Sequence, residues 1–320
     1  MIEKVVLVTQ KTRLEELQAR FNTRDQAKFW IEHMGLDFAD YDREHATYLR
    51  AVEAVRRSVE GLVPKLQAVG RSFLPTFLFS PKDVVVAVGR DGLVANAAKY
   101  VGACPIVAVN PDPGRWDGVL LPFSPATARR GVLSVLEEGA EVHRITMAEA
   151  RLNDGQRLLA FNDFLVGRRD HVSARYALSW QGRTERQSSS GVLVSTGAGS
   201  TGWLSSAQNM AESVTQLLLP GGVPALPRLQ IPWDDRRLVF VVREPFRSRS
   251  TAVGVGAGFI EPGAPLAVES LMPEGGAIFS DGVAEDALAF DSGCVATIAP
   301  SESAALLVRN PGFGAAGRAA

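Results

Sequence analysis

Asp83-Val84-Val85-Val86-Ala87-Val88-Gly89-Arg90-Asp91-Gly92 is the stretch whose reading decides the fold. The residues from Val84 to Val88 are apolar without alternation, the mark of a strand buried on both faces inside a parallel sheet. Gly89 ends the run abruptly. Beyond it Leu93, Val94, Ala97, Ala98 and Val101 recur at helical spacing. The chain therefore reads as strand, glycine turn and helix, with Asp91 at the carboxyl edge of a sheet.

Gly89 and Gly92 flank Arg90-Asp91 and let the backbone approach a ligand closely, while the helix that follows points its unpaired amides at the same place. Phosphate is the natural guest. A carboxylate beside phosphate is electrostatically unfavourable unless it takes a proton from an attacking hydroxyl or holds a metal ion. The competing reading is that Asp91 caps the helix.

The 320 residues, 46% of them hydrophobic, are enough for two domains with real cores. A formal net charge of -1 argues against nucleic acid as a partner, since such binders usually carry a basic excess. Cys104 and Cys294 lie too far apart in sequence to suggest a disulfide framework or a four-thiolate zinc site, which fits a reducing cytoplasm. His33, His45, His143 and His171 lack metal-ligand spacing and read as surface or packing residues. No apolar run approaches the roughly 20 residues that span a bilayer, so no membrane partner is expected. Glu3 and Lys4 lead directly into a strand, without a signal-peptide pattern.

Residues 5–9 form a first buried strand, followed by a long helical segment from Leu14. Lys11 and Arg13 sit just past that strand's carboxyl end, where open α/β sheets bind ligands; they read as solvated helix-start charges or as phosphate contacts. Residues 37–70 read as amphipathic helix, with Tyr48, Val52, Val55, Val59 and Val63 three or four apart. Residues 74–79 read as a short strand or loop. A further strand at 106–109 runs into Asn110-Pro111-Asp112-Pro113-Gly114-Arg115-Trp116-Asp117-Gly118, whose prolines fix the loop's shape. Asn110, Asp112 and Arg115 could each touch a ligand or simply form the turn. One more helix, around Leu133 and Leu136, ends near Gly139.

After Gly139 strand follows strand. Residues 142–152 and 157–166 are separated by Asn153-Asp154-Gly155-Gln156, whose Asp-Gly pair signals a hairpin. Segments 176–180, 192–195, 238–243, 251–255, 266–271, 277–280 and 295–299 also read as β. The expected organisation is an α/β domain over 1–139, a β-rich domain over 140–300, and a segment 301–320 whose strand at 305–308 follows a completed domain and could return to the first.

Two stretches in the second part carry chemistry. Ser195-Thr196-Gly197-Ala198-Gly199-Ser200-Thr201-Gly202-Trp203 is a Gly, Ser and Thr loop between a strand and a helix, offering amides and hydroxyls suited to phosphate or ribose oxygens. Asn162-Asp163 interrupts an apolar strand. Buried without partners it would cost free energy, so it reads as a ligand contact, a β-bulge or a strand end.

Taken together and in this order, these elements resemble the NAD kinase family. Gly89-Arg90-Asp91-Gly92 is similar to the family's Gly-Gly-Asp-Gly turn, Asn162-Asp163 to its Asn-Glu/Asp pair, and Gly199-Ser200-Thr201-Gly202-Trp203 to its Thr-Gly-Ser-Thr-Ala-Tyr loop. The mitochondrial branch looks most similar, through residues 8–13, Val109-Asn110-Pro111-Asp112-Pro113, Ser189-Ser190-Gly191, Val242-Arg243-Glu244-Pro245 and Ser280-Asp281-Gly282. The resemblance implies an NAD kinase / diacylglycerol kinase-like fold, and transfer of the terminal phosphoryl group of ATP, with Mg2+ or another divalent metal, to the 2′-hydroxyl of the adenosine ribose of NAD, giving NADP. It implies Asp91 as the base, Asn162 and Asp163 on the acceptor's adenine and ribose, and Thr196, Gly199, Ser200, Thr201, Gly202 and Trp203 around the dinucleotide, with Gly89, Arg90, Gly92 and Asn110 also binding nucleotide. It further implies a homodimer or higher homo-oligomer. Arg90 departs from the pattern by replacing the second glycine, where it could clamp a phosphate or block its path. Two alternatives stand beside this expectation: a superfamily kinase acting on another small-molecule or lipid hydroxyl, and a catalytically silent NAD- or NADP-binding protein.

Overall fold

The computed structural model describes residues 2–219 and 227–311. These divide into two compact units, one running to His143 and resuming at Leu306, the other Arg144–Ala305.

The first unit begins with β1 (Lys4–Thr9), α1 (Arg13–Phe21), α2 (Arg24–His33), α3 (Phe38–Val59) and β2 (Lys65–Gly70). After a 3-10 turn at Arg71–Thr76 come β3 (Asp83–Val88), α4 (Asp91–Ala98), β4 (Pro105–Val109) and α5 (Ala128–Leu136). The strands lie in the order β2-β1-β3-β4, all parallel. β3 is hydrogen-bonded on both sides, Leu7 opposite Val86 and Val86 opposite Val107. Parallel neighbours need crossovers, and helices supply them. Tyr48 and Val55 of α3 and Val132 of α5 share one core with Val84, Val86 and Val88, each fully buried valine contributing about 1.5 to 3 kcal/mol.

The sequence misplaces several boundaries here. The expected helix over 37–70 ends at Val59, and residues 65–70 instead form the edge strand β2. Of β2 only Val69 is buried, so nothing apolar marks it as a strand. Gly61, at φ +76°, makes the break. The helical stretch after Leu14 is two helices, because Asn22 turns left-handed and Thr23 caps α2 through the Gln26 amide. Within 74–79 there is no strand; residues 74–76 belong to the 3-10 turn.

The chain continues with β5 (Val142–Leu152), β6 (Arg157–Ala160), β7 (Asp163–Arg168), β8 (Ala174–Trp180), β9 (Arg183–Ser189), β10 (Val192–Ser195), α6 (Trp203–Leu218), β11 (Leu238–Val242), β12 (Ala257–Ile260), β13 (Leu266–Ser270), β14 (Gly276–Ser280), β15 (Val283–Ala289) and β16 (Val295–Val308), all in the second unit except the first two residues of β5 and the last three of β16. An antiparallel sheet among the described residues runs β12-β11-β10-β7-β14-β15. A second set pairs β16-β13-β8-β9, with β5 against β16 and β6. Phe164, Phe240 and Ile278 of the first set pack with Tyr176, Leu178 and Val268 of the second. At its far end β16 places Leu306 and Leu307 parallel to Pro105 and Ile106 of β4.

The expected strand at 251–255 is loop, and β12 lies two residues later. Val255 is buried like a strand residue, yet its amide goes to Glu185 Oε2 at 3.0 Å. The single strand over 157–166 breaks at Phe161-Asn162 into β6 and β7, which belong to different sheets. β9 and β15 are sheet-edge strands with polar sequences that give no apolar alternation. The architecture is an α/β unit with a parallel sheet and a β-rich unit. No helix among the described residues is long and apolar enough to cross a membrane.

Candidate functional site

At the carboxyl end of β3 the Gly89 amide donates to Val109 O at 3.2 Å, and a Cβ there would stand 2.7 Å from Leu93 Cδ2. Gly89 is thus required by packing under α4. Arg90 is extended at the N-cap of α4 without a side-chain cap. Asp91 opens the helix, and its Oδ1 accepts the Leu120 amide at 2.7 Å. The carboxylate ties down a distant loop rather than its own helix's first turn. A Cβ on Gly92 would meet nothing within 4 Å.

These residues open onto a pocket of about 280 Å³ lined by Gln10, Arg71, Arg90, Asp91, Gly92 and Leu93. A larger hollow of about 420 Å³ lies along α3 between Leu49, Arg50, Glu53, Ala54 and Arg57. There Glu53 is already paired with Arg57 at 2.6 Å, and every lining residue belongs to the one helix.

The loop after β4 reaches these residues through Trp116, which meets Arg90, and Leu120, which meets Asp91. Asn110 is buried; its Oδ1 accepts the Asp112 amide at 3.0 Å and its Nδ2 donates to Trp116 O at 2.8 Å. Its polar groups serve the turn. Arg115 donates to both oxygens of Asp40, at 2.9 and 2.8 Å. Arg13 joins Asp40 at 3.2 Å and also pairs with Glu44, so it is engaged within the protein. The hydrogen bond from Arg115 holds the Asp40 carboxyl down to about 2. The Arg90 and Arg115 guanidinium carbons stand 4.8 and 5.3 Å from the Trp116 ring centre.

In the second unit the break between β6 and β7 is held by Asp281, at φ +53°. Its carboxylate accepts the amides of Phe161 at 2.9 Å, Asn162 at 2.6 Å and Asp163 at 3.2 Å. Thr196 Oγ1 donates to Phe161 O at 2.6 Å, and the Thr196 amide donates to Asn162 O at 2.9 Å. A Cβ on Gly199 would lie 2.2 Å from Asn162 O, and one on Gly197 2.1 Å from Pro232 O. Here glycine serves the approach of backbone to backbone. The Ser200 hydroxyl donates to Gly197 O at 2.7 Å. Thr201 and Gly202 are exposed, and Trp203 lies half-buried under the Arg243 guanidinium at 5.1 Å. Asp163, 9% exposed, has its carboxyl pushed up to about 7 by burial and by the neighbouring Asp281 charge.

The structure thus gathers Arg90, Asp91 and Gly92 in one pocket of the first unit, with Gly89 beneath and Asn110 in the adjoining loop. In the second unit Asn162, Thr196 and Gly199 are joined by backbone and hydroxyl bonds, Asp163 is bonded to Asp281, and Ser200, Thr201, Gly202 and Trp203 continue that loop into α6. Sequence reasoning missed Gln10, Arg71, Leu120 and the bracing role of Asp281. Only Asp281 had a signal, in an Asp-Gly pair directly after a strand. Among the described residues no three or more His, Cys, Asp or Glu side chains group where a metal ion could sit.

No protein-family model matches the sequence, and no curated protein matches it. Solved structures do. Yeast NADH kinase, crystallised with NADH, is similar with a TM-score of 0.55 at 15% identity, over 97% of this chain and 84% of that one. An NAD kinase from Archaeoglobus fulgidus in complex with ATP is similar with a TM-score of 0.54 at 19% identity, over 97% of this chain and 94% of that one. At these identities the likeness establishes the fold.

Proposed function

We propose that this chain is an NAD kinase, moving the γ-phosphoryl group of ATP to the 2′-hydroxyl of the adenosine ribose of NAD. The observation that carries the reading is Asp91: a carboxylate at the first turn of α4, fixed through one oxygen by Leu120, in a pocket with two guanidinium groups. Its other oxygen is available to take a proton. The fold shared with kinases crystallised with NADH and with ATP supports the same reading.

In this mechanism the ribose oxygen attacks the γ-phosphorus as its proton passes to Asp91, and ADP leaves with the electrons of the broken bond. Arg71, Arg90 and the α4 amides offset the phosphate charge. Asp91 is the sole carboxylate lining the pocket, which is no cage for a free cation, so a divalent ion enters on the phosphates of the substrate MgATP. Asn162 and Asp163 are assigned to the acceptor's adenosine, and Thr201 with the amides around Gly202 to its remaining polar groups. A cytoplasmic homodimer or larger homo-oligomer goes with this assignment, the free thiols of Cys104 and Cys294 fitting a reducing compartment.

The test is purified full chain with NAD and MgATP, with NADP followed by enzymatic cycling and ADP measured in parallel. NADP and ADP should appear in equal amounts. ADP released only with some other hydroxyl compound would move the acceptor elsewhere, and neither product with any acceptor would overturn the kinase reading.

A further inference from the structure

Arg90 is an exposed guanidinium that pairs with no carboxylate among the described residues. An exposed arginine ordinarily samples many rotamers, and ordering it costs conformational entropy. Here it rests 4.8 Å from the centre of the Trp116 ring. That contact orients the cation without consuming an anion, so the N–H fork stays free for a ligand. The indole is itself held. Its backbone amide donates to Asp112 O at 3.1 Å, its carbonyl accepts Asn110 Nδ2 at 2.8 Å, and the adjacent Arg115 is gripped by both oxygens of Asp40. Two cations on one ring would repel; Asp40 and Glu44, at 2.8 and 3.2 Å from Arg115, neutralise one of them.

We propose that Trp116 is a positioning residue that holds Arg90, which lines the Asp91 pocket together with Arg71, as the recognition group for a polyphosphate: the triphosphate of a nucleotide or inorganic tripolyphosphate. This deepens the kinase reading and rests on it for the identity of the donor. Of the two uses the sequence left open for Arg90, clamp and block, the geometry points to the clamp. Seated on the indole, the side chain lines the pocket instead of filling it, and 280 Å³ remains beside it. With Arg71 it outweighs the single negative charge of Asp91. A planar fork held in advance binds phosphate oxygens with less ordering still to be done.

The experiment is calorimetric titration of the full chain with MgATP and, separately, with magnesium tripolyphosphate, for wild type, R90Q, R90K, W116A, W116F and the R90Q/W116A pair. R90Q should weaken both ligands by roughly tenfold to a hundredfold, the loss of hydrogen bonds to a charged group. W116A should weaken them about three- to tenfold through loss of the platform, and W116F should restore most of that. R90K, a charge without the fork, should fall between wild type and R90Q. The pair should bind no worse than R90Q alone, because Trp116 acts through Arg90. In the NADP assay the donor KM should rise in these variants while the KM for NAD stays within about twofold. Trp116 is half-exposed and its loop bonds run through backbone atoms, so these variants keep the fold, checked by thermal melting. Unchanged binding in R90Q, absence of tripolyphosphate binding by wild type, or a W116A loss that adds in full to that of R90Q overturns the proposal. NADP formation with an unmoved donor KM in R90Q leaves the kinase reading intact and removes the clamp; polyphosphate binding that depends on Arg90 and Trp116 without NADP formation does the reverse.

Discussion

The Asp91 carboxylate and the Leu120 amide are joined by a 2.7 Å hydrogen bond between groups 29 residues apart. One oxygen is thereby committed to holding a loop, and the other is oriented by the same bond. The two tasks can be separated by chemistry. Asparagine keeps an oxygen for Leu120 and removes the basic site, so D91N should melt within about 1 °C of wild type, below the roughly 2 to 4 °C that 1 kcal/mol produces in a unit of this size, while NADP formation falls by about a hundred- to ten-thousandfold. D91A also frees the Leu120 amide, and Leu120 is buried. It should lose a further 1 to 3 kcal/mol or so of stability. Turnover assays and urea melts of both variants distinguish a base from a strut.

Asp163 predicts a pH dependence of opposite sign to an ordinary ion-paired carboxylate. Its folded value of about 7 lies above the ordinary 3.8, chiefly because burial disfavours the charge. Below about pH 4 it is protonated in both folded and unfolded chains and has no effect. As pH rises from about 4 to 7 the unfolded chain releases the proton first, so stability drains away over that window and levels off above it. D163N removes the titration. The variant should therefore gain on wild type between pH 4.5 and 8 by something on the order of 2 to 4 kcal/mol, since each tenfold difference in proton affinity between the folded and unfolded chains is worth about 1.36 kcal/mol. Urea denaturation at the two pH values measures it, and a difference independent of pH would mean that the carboxyl is solvated.

What could be read from the sequence follows the strength of local signals. The run Val84 to Val88 and its glycine turn were legible because a central parallel strand must be apolar at every position. β2, β9 and β15 were not, since edge strands bury little and their sequences carry charge and polarity freely. Residues 157–166 looked continuous because β6 and β7 are both apolar; what divides them is the Asp281 carboxylate, 118 residues from Asp163. The same distance hid the rest of the candidate site. Asp91 announces itself between Arg90 and Gly92, whereas Arg71 comes to it from the turn after β2, and Trp116 and Leu120 from the loop after β4. Thr196 and Ser200 looked like ligand donors, yet their hydroxyls are satisfied by Phe161 and Gly197 within the fold.

Asp281 supplies the next prediction. Its carboxylate is the acceptor for three consecutive amides, and the left-handed backbone it occupies is one that Asp, Asn and Gly tolerate. D281A would leave the Phe161 amide, in a residue 1% exposed, without that acceptor. The cost should be about 2 to 4 kcal/mol. D281N, which keeps one oxygen and the same backbone tolerance, should lose roughly half as much by the same reckoning. Amide hydrogen exchange at residues 161–163 should speed up in D281A well before any change at β3, since the bracing is local to its own unit.

Gly92 and Gly199 look alike in the sequence, each a glycine in a loop that meets a helix, but their surroundings demand opposite responses to alanine. At Gly199 the added carbon would stand 2.2 Å from the Asn162 carbonyl oxygen, a backbone atom that no rotamer change can move. The loop must shift away from Asn162, and G199A should cost more than about 2 kcal/mol, in the range of overpacked sites. At Gly92 nothing lies within 4 Å, and the residue sits in the first turn of α4 with an ordinary helical backbone. Alanine there restricts the unfolded chain and suits the helix, so G92A should gain roughly 0.5 to 1 kcal/mol. Thermal melts of the two variants should move in opposite directions from wild type. A wild-type melting temperature for G199A would show that the loop can part from Asn162 without penalty, and the acceptor assignment for that loop would lose its rigid support.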